Sequence, residues 1–547
     1  MRSDRSPPSR ASSSRLSRRQ ALAAVGGGLV AAGLPPAAGA AGEGVRVLSS
    51  ARDLPRRYDY VIVGAGSAGC VLARRLGRAG RSVLLVEAGG PATLPAIFDP
   101  PDWPELQGSA VDWRYATLPQ PHLDGRVVPY PRGKVVGGSS AINALAYQRG
   151  HPAAYDRWPE GWRFADLLPC FRRAETFSGG ASAARGGEGP LHVLSLADVA
   201  DRTPLAESFI AAARAQGFPL SPDIGGAEPT GVGWNQLSIS GHRRDDAASA
   251  YLEGLGDAPV DLLLGTPILG LDMAGAACTG VRLAGGTIRP AVETILCAGA
   301  IDTPRLLMLS GIGPADHLRP LGIAVAADLP EVGGNLQDHP LVAGVAYAAR
   351  RPVPRSRYNH ADAVLYVPAS DPADSPDLLV MVLSLPFVLP ELGPLPSPAY
   401  VLVPCLMKPL SRGSVRLASA SPGAPALIDP NYLSEPSDAD RLVEGVRLAR
   451  ELGAAPAFAE WRAGEVHPGP QATTPAALRA FLSRATTSFH HPVGTCRIGA
   501  VVDRDLRVIG VTGLRVVDAS VMPSIPQAMV NAATIAVAER ASDLILS

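Results

Sequence analysis

The sequence predicts an α/β fold built around a Rossmann-like dinucleotide-binding unit, within a chain long enough for two intergrown domains. Three observations predict it. A β-branched run from Tyr58 to Val63 leads straight into Gly64-Ala65-Gly66-Ser67-Ala68-Gly69. An alanine- and leucine-rich helical stretch follows to about Arg78, and a second apolar run, Ser82 to Val86, ends on an acid, Glu87. The chain has 547 residues, more than one hydrophobic core usually organises.

The first forty residues stand apart from this unit. Arginine- and serine-rich sequence runs into SRRQAL (Ser17 to Leu22), then an apolar Ala/Gly/Leu/Val stretch, then Ala38-Gly39-Ala40. A basic region, an apolar region and a small-residue cleavage site in that order, with Arg18 and Arg19 paired, read as a twin-arginine export signal over residues 1–41. Such a route carries folded chains, so the expected destination is the periplasm or the exterior; without the signal the chain stays cytoplasmic. The apolar run is too glycine-rich for a membrane span, and no later stretch is long and apolar enough to cross a bilayer.

Each glycine of the unit has its own task. Gly64 permits the tight turn, Gly66 lets the backbone approach a pyrophosphate, and Gly69 lets helix and strand pack closely. The helix that starts there presents free N–H groups to phosphates. Glu87, 23 residues after Gly64, stands where a carboxylate accepts from ribose hydroxyls. The same carboxylate would repel the extra phosphate of NADP. A glycine turn alone is weak evidence; set between two strands, with a helix inside and an acid at the end, it is strong. The unit does not by itself choose between NAD and FAD.

Bulk properties exclude other classes. Lysine plus arginine equals aspartate plus glutamate at 50 each, which argues against a nucleic-acid partner. The six cysteines are scattered without a CxxC pair, so neither a disulfide framework nor a structural metal is expected. Cys496 lies close to His491, but that pair lacks third and fourth ligands and no metal is assigned.

Further segments add detail. PRGKVVGGSSAINALAYQRG (Pro131 to Gly150) is a second glycine-rich element that reads as entering a helix. GAIDTPRLLMLSGIG (Gly299 to Gly313) begins as a small-residue turn and continues as a helix. VGGNLQDH (Val332 to His339), PLSRGSVRLAS (Pro409 to Ser419), IDPNYL (Ile428 to Leu433), HHPVGTCRIG from His490 and the stretch Leu514 to Ile545 complete the series. Strand-like runs occupy Leu378–Leu383 and Ala399–Val403, and a helical pattern runs from Ser437 to Leu452. Residues 351 to 398 are Pro-rich and say least.

From Tyr58 to the C-terminus these segments, in this order, resemble the glucose–methanol–choline (GMC) oxidoreductases. The resemblance implies an α/β and α+β architecture: a Rossmann-like FAD domain assembled from separate chain segments, and a substrate domain whose antiparallel sheet, flanked by helices, roofs the flavin. The implied division is 58–155, 226–330 and 486–547 for the FAD domain, and 156–225 and 331–485 for the substrate domain. Gly64, Gly66, Ser67, Ala68, Gly69, Glu87 and Ala88 would hold the ADP half of FAD. Gly137, Gly138, Ser139 and Asn143 would line the pyrophosphate and isoalloxazine. Ile268 would meet the adenine through its backbone, and Asp518 and Ala519 would approach the ribityl–phosphate region. Some members attach FAD covalently through a histidine just before the asparagine of GGSSxxN; Ile142 stands there, so a non-covalent FAD is expected.

The implied chemistry is oxidation of a primary alcohol to the aldehyde. His491, before Pro492, matches the family's catalytic histidine, and Asn531 stands where the family places a second histidine or an asparagine. Neutral imidazole suits removal of the hydroxyl proton. Asn531 would donate an amide hydrogen bond to the same oxygen, and hydride would pass to flavin N5. The substrates of the family include aliphatic, aryl and furfuryl alcohols, choline, sugars and amino-sugar hydroxyls; the acceptor is oxygen, a quinone or a cytochrome. The alternative is a lyase of the same fold that keeps FAD without net redox. In an extended segment neighbouring side chains point opposite ways, so His490 is expected to face away from the flavin. His339 and His151 are expected to anchor loops.

Overall fold

β-branched apolar runs make good parallel strands when both faces are covered, and here they build the centre of a six-stranded sheet. The computed structural model describes residues 45–48, 50, 54, 57–226, 229–367 and 375–547; the expected leader lies outside the described residues. The strands lie side by side in the order Arg46–Leu48, Val260–Leu263, Val83–Val86, Tyr58–Val63, Pro290–Leu296 and Leu514–Val516, all parallel. The dinucleotide sheet is therefore assembled from well-separated stretches of chain. Its first strand precedes the expected start at residue 58: Arg46 Nε donates to Asp261 of the neighbouring strand at 2.7 Å.

The expected helix forms over Ser67–Arg78 and packs on the C-terminal helix Val530–Leu546. Glu539, fully buried on that last helix, accepts from Arg75 Nε at 2.7 Å, Arg173 Nε at 2.8 Å and Tyr251 Oη at 3.0 Å. One carboxylate thus ties the C-terminal helix to three others, Ser67–Arg78, Phe164–Ala174 and Ala247–Leu252.

The second layer is an eight-stranded antiparallel sheet. Its main path runs Arg462–His467, Val345–Ala349, Ala399–Leu406, Leu378–Leu383, Ala363–Val367 and Gly231–Trp234, with Pro340–Val342 joining Ala399–Leu406 to Thr486–Ser488. Successive side chains on a strand face opposite ways, and the two faces have different fates. Leu378, Val380, Val382, Tyr400 and Leu402 pack in one core with Leu442, Val446 and Ala449 of the helix Pro436–Ala454. Leu379, Met381, Leu383, Val401 and Val403 form a separate apolar cluster on the other face.

Strand pairing groups two further segments. Gly231–Trp234 pairs with Ala363–Val367, and Gln236–Ser240 pairs with Leu191–Ser195 and Arg243–Arg244, so residues 231 to 244 do not belong with the dinucleotide sheet. Thr486–Ser488 likewise pairs with Pro340–Val342. Which strand a segment joins is decided by distant partners, and composition does not report those. The expected helix after the second glycine element is also absent. Only a 3₁₀ turn, Gly138–Ala141, forms there. Asn143 Oδ1 then takes the N–H of Leu145 at 2.9 Å, and Leu145 is left-handed with φ of 60°. A side chain that captures the local backbone in this way competes with helix formation.

Candidate active site

A cavity of about 1170 Å³ runs from the glycine turn of the parallel sheet to the far apolar face of the antiparallel sheet. Its dinucleotide end is shaped by absent side chains. A Cβ on Gly69 would lie 1.9 Å from the carbonyl oxygen of Gly64, so this glycine is what lets the helix Ser67–Arg78 sit against its own turn. A Cβ on Gly138 would come 2.7 Å from Cα of Gly66, which brings the two glycine elements into contact. Gly66 itself opens on the cavity, with nothing nearer to its missing Cβ than 3.9 Å. The helix that follows has no side-chain cap and no acid in its first turn, which leaves its N–H groups for an anion. These features fit the diphosphate of FAD.

Glu87 closes this end. Its carboxylate accepts from Ala65 N at 2.9 Å and Gly89 N at 2.8 Å, and burial pushes its pKa up to about 7. Asp518 accepts from Thr303 Oγ1 at 2.6 Å, Gly299 N at 2.9 Å and Ser520 N at 2.8 Å, which orders the start of the helix Gly299–Leu309 at the cavity wall. Gly64, Gly66, Ser67, Ala68, Glu87, Ala88, Gly138, Ser139, Asn143, Ile268, Asp518 and Ala519 all line the cavity. Gly69 and Gly137 do not; the first packs helix on turn, and the second, with φ of 90°, turns the chain beside Asp246.

His491 and Asn531 line the same cavity, although they come from a loop and a helix far along the chain from the glycine turn. Asn531 sits in the first turn of its helix, and its Oδ1 accepts from Ser67 Oγ at 2.6 Å. The two helix N-termini therefore converge, and engagement of Oδ1 leaves the amide nitrogen of Asn531 to donate. His491 is held at both ends. Its backbone N–H donates to Asp338 Oδ1 at 2.7 Å, and its Nδ1 lies 3.0 Å from His339 Nδ1. Asp338 is buried and also accepts from Ser488 Oγ at 2.5 Å and from the Tyr432 hydroxyl. Burial, then the neighbouring His339, His490 and Arg132, hold the His491 imidazole well below its ordinary pKa. It is neutral at physiological pH and able to accept a proton.

His490 departs from expectation. It has φ of 66°, which breaks the side-to-side alternation of an extended segment, and the residue lines the same cavity as His491. Ser488 Oγ accepts its N–H at 2.7 Å and Arg132 Nη2 donates to its carbonyl at 2.6 Å, which stabilises this left-handed turn. Burial and Arg132 lower its pKa to about 3. His339 ties to a distant stretch of backbone through Met407, its Nε2 3.1 Å from that carbonyl, and also touches the His491 ring. His151 is a local anchor, its Nδ1 accepting from Ala153 N at 3.2 Å. Asp338 and Arg132 are neighbours of the histidine pair that motif reading left unassigned, though each lies inside a quoted segment.

Part of the lining that His491 shares is apolar. Leu341, Met381, Leu383, Val403, Phe387 and Met529 line the cavity and belong to the cluster on the inner face of the antiparallel sheet. Phe489 lies against the His491 ring at 4.5 Å between centroids. Three carboxylates line the cavity, Glu87, Asp302 and Asp518. Glu87 and Asp518 take backbone N–H groups as described, and Asp302 takes the Tyr115 hydroxyl and Arg305 Nη1.

Comparison with known proteins shows the family. The family profile described as GMC oxidoreductase matches residues 58–341 with its N-terminal part and 409–538 with its C-terminal part. Pyridoxine 4-oxidase of Microbacterium luteolum is 38% identical over 502 residues, covering 88% of this chain and 98% of that protein. Mitochondrial choline dehydrogenase of Mus musculus is 37% identical, covering 89% of each. The crystal structure of pyridoxine 4-oxidase from Mesorbium loti superposes with a TM-score of 0.85 at 37% identity, covering 89% of this chain and 99% of that one. A fungal aryl-alcohol oxidase superposes with a TM-score of 0.78 at 27% identity, over 90% of this chain and 99% of that one. With a dinucleotide cradle, a neutral histidine and an asparagine around one cavity, and these likenesses over nearly the whole described length, the chain belongs to the GMC oxidoreductase family and is an FAD-dependent alcohol oxidoreductase.

Proposed function

We propose that this chain oxidises a neutral primary alcohol whose hydroxymethyl group is carried on an aromatic or other flat apolar frame, as in pyridoxine or benzyl alcohol, with His491 as proton acceptor. The observation that carries the substrate class is the apolar lining of the cavity that holds His491: aliphatic and aromatic side chains, with each lining carboxylate taken by protein donors. A quaternary ammonium group keeps its charge on entering such a site and loses hydration that no free carboxylate there offsets. A flat ring needs apolar area and a few directed polar groups; the aliphatic and aromatic lining offers the area, and His491 and Asn531 the polar groups.

Bound FAD supplies the hydride acceptor. Gly66, Gly138 and the helix N-terminus at Ser67 would hold its diphosphate, Glu87 its ribose, and Ile142, which has no nucleophile, would leave the attachment non-covalent. His491 takes the hydroxyl proton of the alcohol onto its imidazole. Asn531, its carbonyl occupied by Ser67, donates its amide N–H to the same oxygen as negative charge develops there. The apolar wall excludes water, which strengthens both contacts.

The test is steady-state turnover of purified flavoprotein with pyridoxine, benzyl alcohol and choline, followed by oxygen uptake and again with an artificial acceptor. The ring alcohols should exceed choline in kcat/KM by ~10² or more, the worth of an uncompensated buried charge of about 3 kcal/mol. Choline as the preferred substrate would sink the assignment. Comparing the two assays names the electron acceptor.

A further inference from the structure

His339 has both ring nitrogens engaged, and its partners set the direction of every proton between them. Its Nε2 lies 3.1 Å from the carbonyl oxygen of Met407. A carbonyl only accepts, so Nε2 carries the hydrogen. His339 is completely buried, and burial brings its pKa down to about 3, so the ring is neutral and its Nδ1 is a bare lone pair. That lone pair faces His491 Nδ1 at 3.0 Å, with the two rings edge to face at 89°. His491 Nδ1 must therefore be the donor. One hydrogen on Nδ1 of a neutral imidazole leaves Nε2 without one, and among the described residues no protein group bonds that atom.

From this geometry we propose that His339 is a positioning residue: through the chain Met407 carbonyl, His339 and His491 Nδ1–H, it holds His491 in the one neutral tautomer whose Nε2 lone pair is free for the alcohol proton. The inference rests on His491 as proton acceptor. When the alcohol O–H breaks, its proton forms the Nε2–H bond, His491 becomes imidazolium, and the alkoxide oxygen keeps the electron pair. His339 stays neutral throughout and only accepts from Nδ1–H. Asp338, the residue before it, fixes the His491 backbone N–H at 2.7 Å. Phe489 N–H donates to the His339 carbonyl at 2.9 Å, so the clamp and the catalytic loop are laced together. Adjacent residues thus set both the position and the protonation of one ring.

The experiment uses FAD-loaded protein and three variants. His339→Leu keeps bulk and removes the acceptor; His339→Asn restores an acceptor near the Nδ1 position. His339→Leu should lower kcat by about 10-fold or more with KM little changed, because an imidazole free to carry its proton on Nε2 is a non-productive base. His339→Asn should recover most of that loss. A structural role alone predicts equal damage from both variants, so His339→Asn no faster than His339→Leu overturns the proposal, as does an unimpaired His339→Leu. If His339→Leu fails to fold, the nitrogen-15 imidazole spectrum of the unsubstituted flavoprotein still decides, with the His491 signals identified by their loss in His491→Gln. A proton on Nδ1 and none on Nε2 at neutral pH supports the proposal; a proton on Nε2 overturns it. Full turnover by His491→Gln would instead remove His491 as base, whatever its tautomer.

Discussion

His339 cannot take over from His491, since it points its lone pair at His491 and its proton at Met407. His491→Ala should bind FAD normally, read by flavin absorbance, and lose ~10²–10⁴ in kcat/KM. A smaller loss would pass the base role to His490, whose Nδ1 is buried without a protein partner. Glu87 yields a second prediction from its pKa of about 7. Ribose hydroxyls donate to the ionised carboxylate, so FAD binding expels a proton below that pKa. Affinity should therefore rise with pH through about 7 and level off above it. Glu87→Gln should bind FAD ~10–100-fold more weakly, the worth of a charged hydrogen bond, and lose the pH dependence. Titrations by flavin fluorescence at several pH values decide it.

Among elements, the turn into the helix Ser67–Arg78 separates packing from binding. An added methyl at Gly69 meets a backbone oxygen at 1.9 Å, which nothing short of moving the helix relieves. Gly69→Ala should destabilise by about 3 kcal/mol and fail to accumulate as soluble protein. Gly66 has φ of −84° and open space around its missing Cβ. Gly66→Ala should fold with an unchanged Tm without cofactor and lose FAD, because its methyl would occupy the diphosphate's place. Equal Tm losses in the two variants would refute the division of labour. The motif made both glycines legible, and even their separate tasks, because a tight turn is a local matter of φ and sterics. The failed helix after Gly138 is the counterexample. Alanine, leucine and isoleucine favour a helix there, but Asn143 captured the Leu145 N–H.

At the scale of the fold, the cavity lies between the turn of one sheet and a face of the other, so FAD held there would bridge both cores. At a hundred times its Kd, FAD should add about 2.7 kcal/mol to the stability of both together. Acid precipitation should leave all flavin in the supernatant, since Ile142 cannot bond to it; a yellow pellet would contradict non-covalent binding. The alternation that makes Met381, Leu383 and Val403 a wall could be read as strand, but the choice of face could not. Leu378, Val380 and Val382 are equally apolar and went to the helices instead.

The sequence by itself determined the dinucleotide turn, its acid partner and the uncharged balance. Each depends on residues a few positions apart, or on chemistry a side chain carries wherever it is placed. Only the tertiary structure decided that His490 turns inward, that residues 231 to 244 leave the parallel sheet, and which nitrogen of His491 holds the proton. Those outcomes depend on hydrogen-bond partners, such as Met407, Arg132 and Asp338, which are remote in the chain and become neighbours only when it folds.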